Sequence, residues 1–238
     1  MYDDLLDARA AVEWGKAQLP ALRQRIIAWQ DMSVDPVVVD LNPQVGKKVA
    51  VVQAKTSLPL IINAEVGAII GSIRCSLNLL CAALALRRGD VPGHETHFPV
   101  FRSFQDMIDP IAGLEGKKWL GIAEARVIKS FEPHDGGNRL LWALHQLDIV
   151  RKHRRLVEIA TVPRIERSSL GGGSRPEQQP ASSKWGQHVS KRDTHPSLAV
   201  VFTELGLNIY REPVVELLHQ FACLAAAIIE CFDAPLDR

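Results

Sequence analysis

The residues best able to do chemistry lie in the segment 138–155, which reads NRLLWALHQLDIVRKHRR. His145, Asp148, Lys152 and Arg155 recur there at helical spacing, so they share one stripe of a predicted helix. An imidazole among such charges could take a proton from a 2′-hydroxyl, while a cation stabilises the charge that develops on the phosphate. This stripe is therefore the first candidate site, and the chemistry it would perform is metal-independent cleavage of RNA.

A run of basic or titratable side chains ends the same segment: Arg151, Lys152, His153, Arg154 and Arg155. Cations near the C-terminus of a helix complement its dipole by about 0.3–1 kcal/mol each, and this role needs no ligand. The same residues could instead neutralise several phosphates of RNA or DNA. We therefore treat Arg151, Lys152, Arg154 and Arg155 as candidate binding residues, and His153 as a second candidate for the catalytic base.

Arg74 stands out because it interrupts an apolar helix, where a charged guanidinium is costly unless it is paired or solvated. One interpretation is a buried contact with Asp148 or with carbonyl oxygens. The other is an anion-binding arginine that faces a cleft and grips phosphate with its planar fork. The candidate catalytic residues are thus Arg74, His145 and His153, with Asn78 and Asp148 as structural polar residues.

Composition sets limits on the function. The chain has 238 residues, 47% of them hydrophobic, which is enough for a substantial core, and we expect one domain over 1–238. The 28 Lys and Arg residues nearly balance 27 Asp and Glu residues. No global field therefore draws the protein onto nucleic acid or anionic lipid, and any such binding must come from a local patch.

Neither metal nor cofactor chemistry is indicated. The four cysteines lack C-x-x-C spacing and lie in apolar stretches, so we expect reduced core residues. His94 and His97 form an H-x-x-H pair without a convincing third ligand. The acidic start of the chain does not resemble a signal peptide, and the apolar runs are short for a membrane span, which predicts a cytoplasmic protein without membrane contact.

The hydropathy pattern predicts helices and a few strands. The helices are expected over 3–31 with a kink or break at Pro20, over 64–88 with Asn63 as N-cap, over 104–111, over 115–131, from 138 to the basic cluster, and over 214–232. A β-hairpin is expected at 36–41 and 47–55 around a turn at 42–46.

Further strands are expected at 156–162, where one would pair with the hairpin, and at 198–202 and 207–210. The segment 168–197 is rich in Ser, Gly, Pro and Gln and predicts a long flexible loop. The fold class is therefore α+β and predominantly helical, with a helical core and a small antiparallel β-sheet made of the N-terminal hairpin and later strands.

Two segments resemble a family of uncharacterised bacterial proteins. IIGSIRCSLNLLCAAL, over 69–84, is similar to that family's I-I-H-N-L-R-S-A-L-D-H-L-A. IKSFEPHDGGNRLLWALHQLDIVRKHRRL, over 128–156, is similar to a Q-P-Y turn followed by L-W-x-L-H-x-L-D-N-I-D-K-H-R-x-L. The order of elements through the final P-V-x-x-L-L helix also fits, so the resemblance covers most of the chain.

This chain departs from the family pattern at polar positions. Leu79 stands at the family's histidine and Asn78 at the preceding acid, while Ile149 replaces an asparagine and Arg151 an aspartate. These changes remove polar groups from the site on which catalysis would depend.

The Arg-x4-His spacing of the family resembles HEPN domains, helical modules that include ribonucleases. The first hypothesis is a non-catalytic module that associates with itself, as a homodimer, or with another protein. The alternative is a HEPN-like RNA-binding protein or metal-independent ribonuclease in a defence or toxin system, with RNA as its partner.

Overall fold

A computed structural model describes residues 4–42, 47–54, 56–167, 194–204 and 207–233. The elements, in chain order, are α1 (Leu6–Ser33), β1 (Val34–Asn42), β2 (Lys47–Ala54), α2 (Leu60–Arg87), α3 (Phe104–Ile108), α4 (Ile122–Ser130), α5 (Arg139–His153), β3 (Ile159–Arg167), β4 (Thr194–Phe202) and α6 (Val214–Glu230). The predicted class, predominantly helical α+β, is confirmed.

The chain forms two compact units. One contains residues 1–29, 58–160 and 200–238, and the other contains residues 30–57 and 161–199. The first unit is helical and the second carries most of the strand residues. The expectation of one domain over the whole chain stays a prediction.

Helix α2 is the centre of the helical unit and packs against α5 and α6. Its apolar side chains are buried nearly all round, as the sequence predicts for a helix without a polar face. α2 is long and apolar enough to cross a membrane by length and composition, yet 67% of its most apolar window is buried inside the protein. That burial is typical of a core helix.

The ends of α2 are set by its flanking residues. It begins after Pro59, one turn earlier than predicted, so Asn63 is not the N-cap. Asn63 lies within the first turn, and its side-chain amide donates to the carbonyl of Val157 at 2.9 Å. At the other end Gly89 adopts a φ of 82°, and Asp90 donates its backbone N–H to Ala85, which satisfies a terminal carbonyl as predicted.

Helix α1 runs through Pro20 without a break. Of the two predicted outcomes, the split is wrong and the kink stays a prediction. The helix lies beside α2, where the hydroxyl of Ser72 donates to the carbonyl of Ala11 at 2.8 Å and Arg25 pairs with Glu65 at 2.7 Å. These side-chain contacts hold α1 although the proline removes one backbone hydrogen bond.

The predicted hairpin is confirmed in the second unit. β1 and β2 are antiparallel, with Val34 opposite Ala54 and an irregularity between Asp40 and Asn42. The turn residues 43–46 lie outside the described residues.

The later strands differ from expectation. β3 pairs with β4 in a separate two-stranded sheet, so the predicted pairing of this strand with the hairpin is wrong. β4 begins at Thr194, inside the segment 168–197 that composition predicts to be a loop. The polar composition of this segment did not indicate a strand, because strand formation depends on the pairing partner as well as on the hydrophobicity of the segment itself. Residues 168–193 of the predicted loop lie outside the described residues.

Two of the remaining elements differ from the prediction, and α5 begins where it was expected. α4 begins at Ile122 rather than at 115, and Leu207–Tyr210 forms turns and bends instead of a strand. α5 begins after Asn138, whose side chain caps the first turn by accepting from the backbone N–H groups of Leu140 and Leu141.

The cysteines are free thiols, and only one of them is in the core. Cys81 is buried, whereas Cys75, Cys223 and Cys231 are exposed. The prediction that all four are core residues is therefore wrong for three of them. Apolar neighbours in sequence do not fix which face of a helix a cysteine occupies.

Candidate functional site

Arg74 is buried in the centre of α2, with 3% of its surface exposed. Its Nη2 donates to the carbonyl of Phe98 at 2.7 Å, its Nη1 donates to Asn78 Oδ1 at 2.7 Å, and the guanidinium lies over the Phe98 ring. Among the described residues its Nε has no hydrogen-bond partner. Burial lowers the pKa of the guanidinium below its ordinary value, and the charge of Asp148 partly opposes this.

Asn78 lies one turn after Arg74 and links α2 to the loop that follows it. Its Oδ1 accepts from Arg74 and also from the backbone N–H of Phe98, at 3.0 Å. The backbone N–H of Phe98 therefore donates to the side-chain oxygen of Asn78, and the backbone carbonyl of Phe98 accepts from the guanidinium of Arg74. Asn78 and Arg74 together clamp one backbone residue against α2.

Asp148 is the centre of a second polar group on α5 and is only 4% exposed. Its Oδ1 accepts from Nε of Arg151 at 2.8 Å, and its Oδ2 accepts from Nζ of Lys152 at 2.6 Å. The expected contact of Arg74 with a carbonyl oxygen is present, whereas Asp148 bonds to its own helix and influences Arg74 through its charge.

The side chain of Arg151 packs against Gly67 and Gly71 of α2. A Cβ on Gly71 would be 2.2 Å from its Nη2, and a Cβ on Gly67 would be 3.8 Å from its side chain. Since a glycine has no side chain, α2 leaves room for the guanidinium at that point. Gly71 thus allows Arg151 to reach both Asp148 and the surface of α2.

His145 is partly buried one turn before Asp148. Burial and the nearby charge of Arg74 lower the pKa of its imidazole from the usual 6.5 to about 4, against the opposing charge of Asp148. Burial and Arg74 also lower the pKa of His97. His145 is therefore neutral at pH 7, which makes it a weak base.

The end of the basic cluster has a different set of partners. Arg155 forms two hydrogen bonds to the carboxylate of Glu204, at 2.8 and 3.1 Å, and the buried Glu204 also accepts from the backbone N–H of Glu158. His153 and Arg154 are exposed at the C-terminus of α5. Most of the cluster is thus neutralised by acids.

The structure brings some predicted site residues together and separates others. Arg74 and Asn78 bond to each other, and Asp148 bonds to Arg151 and Lys152, while the charges of Arg74, Asp148 and Lys152 all act on the His145 imidazole. Arg155 instead forms an ion pair with Glu204, beyond the end of α5. Among the described residues, His153 and Arg154 form no ion pair.

Sequence reasoning missed three participants: Phe98, Gly71 and Glu204. A backbone carbonyl carries no signal in sequence, so Phe98 could not be found. Gly71 could have been noted as a small residue three positions before Arg74. Glu204 is distant in sequence from Arg155, and only the fold shows that they meet.

In the part of the chain that the structure describes, no group of three or more His, Cys, Asp or Glu side chains could hold a metal ion. No protein-family model matches the chain, and no curated protein or solved structure is significantly similar to it. The resemblance to a family of uncharacterised bacterial proteins, and the analogy to HEPN domains, therefore stay predictions.

We expect Asp148→Asn to lower the free energy of unfolding by about 3 kcal/mol, because it removes the buried charge that holds Arg151 and Lys152. Chemical denaturation monitored by circular dichroism measures the change. Glu216→Gln is the control, since it removes an exposed partner of Arg23 and should cost less than about 1 kcal/mol. Equal losses in the two variants would contradict the central role of Asp148.

The lowered pKa of His145 predicts a pH dependence of stability. Between pH 6.5 and about 4 the unfolded chain binds a proton at His145 that the folded protein does not, so stability present above pH 6.5 is lost as the pH falls. The loss from this group is at most about 3 kcal/mol. Denaturation at several pH values should give a shallower decline for His145→Gln than for the wild type. Parallel curves would show that His145 titrates normally.

Proposed function

We propose that this protein is a non-catalytic helical module of the cytoplasm that acts by associating with itself or with another protein. It uses no cofactor. The observation that carries the proposal is that the polar groups which could do chemistry are already bonded to each other: Arg74 to Asn78 and Phe98, and Asp148 to Arg151 and Lys152.

The electrostatics of the site argue against acid–base catalysis there. Cleavage at a 2′-hydroxyl needs a base and an acid whose pKa values lie near the working pH. The pKa of His145 is about 4, and the pKa of His97 is also lowered, so both imidazoles are neutral at pH 7. A neutral imidazole can accept a proton but cannot donate one as the general acid.

The basic cluster is also poorly suited to holding phosphate. Binding to nucleic acid releases counterions from the phosphates, and it requires cations that are free to replace them. Arg151 and Lys152 are held by Asp148, and Arg155 is held by Glu204. An RNA backbone would have to compete with these acids.

Exposed aliphatic side chains support a contact surface. Ile111, between α3 and α4, is 85% exposed, and Ile122, the first residue of α4, is 72% exposed. Val91 is exposed to a similar degree. Association would bury such side chains and gain roughly 25 cal/mol per Å² of apolar surface.

The proposal predicts a dimer at micromolar concentration, measured by sedimentation or by light scattering after gel filtration. Replacing an exposed interface side chain by aspartate should weaken the dimer without unfolding the protein, because these side chains contribute little to the core. Ile111→Asp and Ile122→Asp are the first variants to compare, and Leu60→Asp is the matched control elsewhere on the surface. A monomer that also captures no protein partner would contradict the proposal.

A second candidate function is RNA binding or cleavage, and the observation in its favour is the exposed end of α5. His153 and Arg154 are accessible there and, among the described residues, belong to no ion pair. Two such residues could contact a phosphate next to the paired cations of the cluster.

This candidate predicts that single-stranded RNA or transfer RNA is retained by the protein and released by added salt. Arg154→Ala should weaken retention, whereas Arg126→Ala, which removes an exposed charge on α4, should not. If cleavage accompanies retention, His153→Ala or His145→Gln should abolish it while circular dichroism stays unchanged. Retention that is equal in the Arg154 and Arg126 variants would rule out this site.

A further inference from the structure

One face of α2 is open to solvent, although this helix is the centre of the helical unit. Most residues of α2 are buried, and residues that are not buried recur along it in alternating steps of four and three. We call this set the α2 stripe, and it consists of Ile61, Glu65, Ala68, Ser72, Cys75, Leu79, Ala82 and Leu86. Such spacing places all of them on one side of the helix.

The α2 stripe is largely apolar. Ile61 and Leu86, at its two ends, are 61% and 62% exposed. A surface helix normally turns charged and polar residues to water. Helix α6 follows that rule, since its exposed residues include Glu216, His219, Gln220 and Glu230. The composition of the α2 stripe is instead that of a contact surface.

The two polar members of the stripe already have partners on α1. Glu65 pairs with Arg25 at 2.7 Å, and the hydroxyl of Ser72 donates to the carbonyl of Ala11 at 2.8 Å. An apolar partner can therefore cover the stripe without burying an unpaired charge or an unsatisfied hydroxyl donor.

The flank of α1 beside the stripe widens this surface. Ala11 and Arg25 lie on that flank, and Trp14, one turn after Ala11, is 47% exposed. From Ile61 to Leu86 the stripe is about 38 Å long, and a band about 20 Å wide, the width of two helices, covers roughly 750 Å². A stable interface buries about 800 Å² on each partner. The surface is therefore large enough for a dimer.

The spacing of the stripe indicates the kind of partner that covers it. Apolar positions in alternating steps of four and three residues form the seam along which two helices pack in a coiled coil. Small residues in the middle of the stripe, Ala68, Ser72 and Cys75, let another helix approach closely. A second α2 helix has the required length and the same spacing.

The stripe is complementary to itself when two copies run antiparallel. The two-fold axis then passes between Ser72 and Cys75. Ala68 lies opposite Leu79 of the partner subunit, so a small side chain meets a large one, and the dipoles of the two helices attract each other. A parallel pair would place Glu65 beside Glu65 of the partner subunit, where like charges repel. The antiparallel arrangement is therefore favoured.

We propose that a second copy of this chain binds the α2 stripe, with the two α2 helices antiparallel and in contact around Ser72 and Cys75. This inference rests on the self-association proposed above, and it names the surface and the geometry of that contact.

Ile122 lies near the C-terminal end of the stripe, whereas Leu60 lies off it. A Cβ on Gly121 would be 3.0 Å from Nη1 of Arg88, the residue that follows α2. Leu60 is about 100° around the helix from Ile61. Ile122→Asp should therefore weaken the same contact, and Leu60→Asp tests the surface beside it.

The first test is the dissociation constant of the dimer of the full chain, measured by analytical ultracentrifugation. Ala68→Arg and Leu86→Arg should each raise it at least about tenfold, because each places an unpaired charge in an apolar contact. Ala227→Arg, at an exposed alanine of α6, is the matched control and should leave it unchanged. Circular dichroism shows whether each variant is folded.

Two outcomes of this test differ in what they overturn. A dimer that Ala68→Arg and Leu86→Arg leave as tight as Ala227→Arg does would overturn this inference and leave self-association through another surface. A monomeric wild type would overturn both, even if a different protein then binds the stripe.

Chemical cross-linking tests the antiparallel geometry. With Cys223→Ser and Cys231→Ser in place, a short bismaleimide should join two copies through Cys75, and Cys75→Ser should abolish the product. Ala82→Cys added to these three substitutions should give no product, because the antiparallel pair holds the two copies of position 82 about 25 Å apart. A cross-link through position 82, or none through Cys75, would overturn the proposed arrangement.

Discussion

The burial of Arg74 is the constraint on which the polar interior of this protein depends. A guanidinium at the centre of an apolar helix is tolerated only where its donors are satisfied, because leaving them unpaired costs several kcal/mol. Here Asn78 and the Phe98 carbonyl accept from it, and the Phe98 ring covers it. The loop after α2 is therefore held in place by the charge that the helix buries, and the position of that loop in turn sets the surroundings of His97.

Asp148 extends this constraint to α5. Its buried carboxylate organises Arg151 and Lys152 and also places a negative charge near Arg74 and His145. The glycine at position 71 makes the arrangement fit, because any larger residue would displace the Arg151 guanidinium. The cations of α5 thus serve the packing of two helices, and they are poorly available to a ligand.

The polar residues between α2 and α5 already form hydrogen bonds with one another and with the Phe98 backbone. These contacts support a structural role for residues whose types in the sequence suggest catalysis.

The sequence by itself determined the helical class, the hairpin and most of the helix positions, because hydrophobic periodicity and breakers such as Gly89 act locally. It also singled out Arg74 and Asp148 as residues that need partners. Only the tertiary structure decided what those partners are, since the Phe98 carbonyl, Gly71 and Glu204 are distant in sequence from the charges they meet. For the same reason the pairing of β3 with β4 and the exposure of Cys223 could not be predicted. Strand partners and buried faces are properties of the packed chain, and local sequence does not specify them.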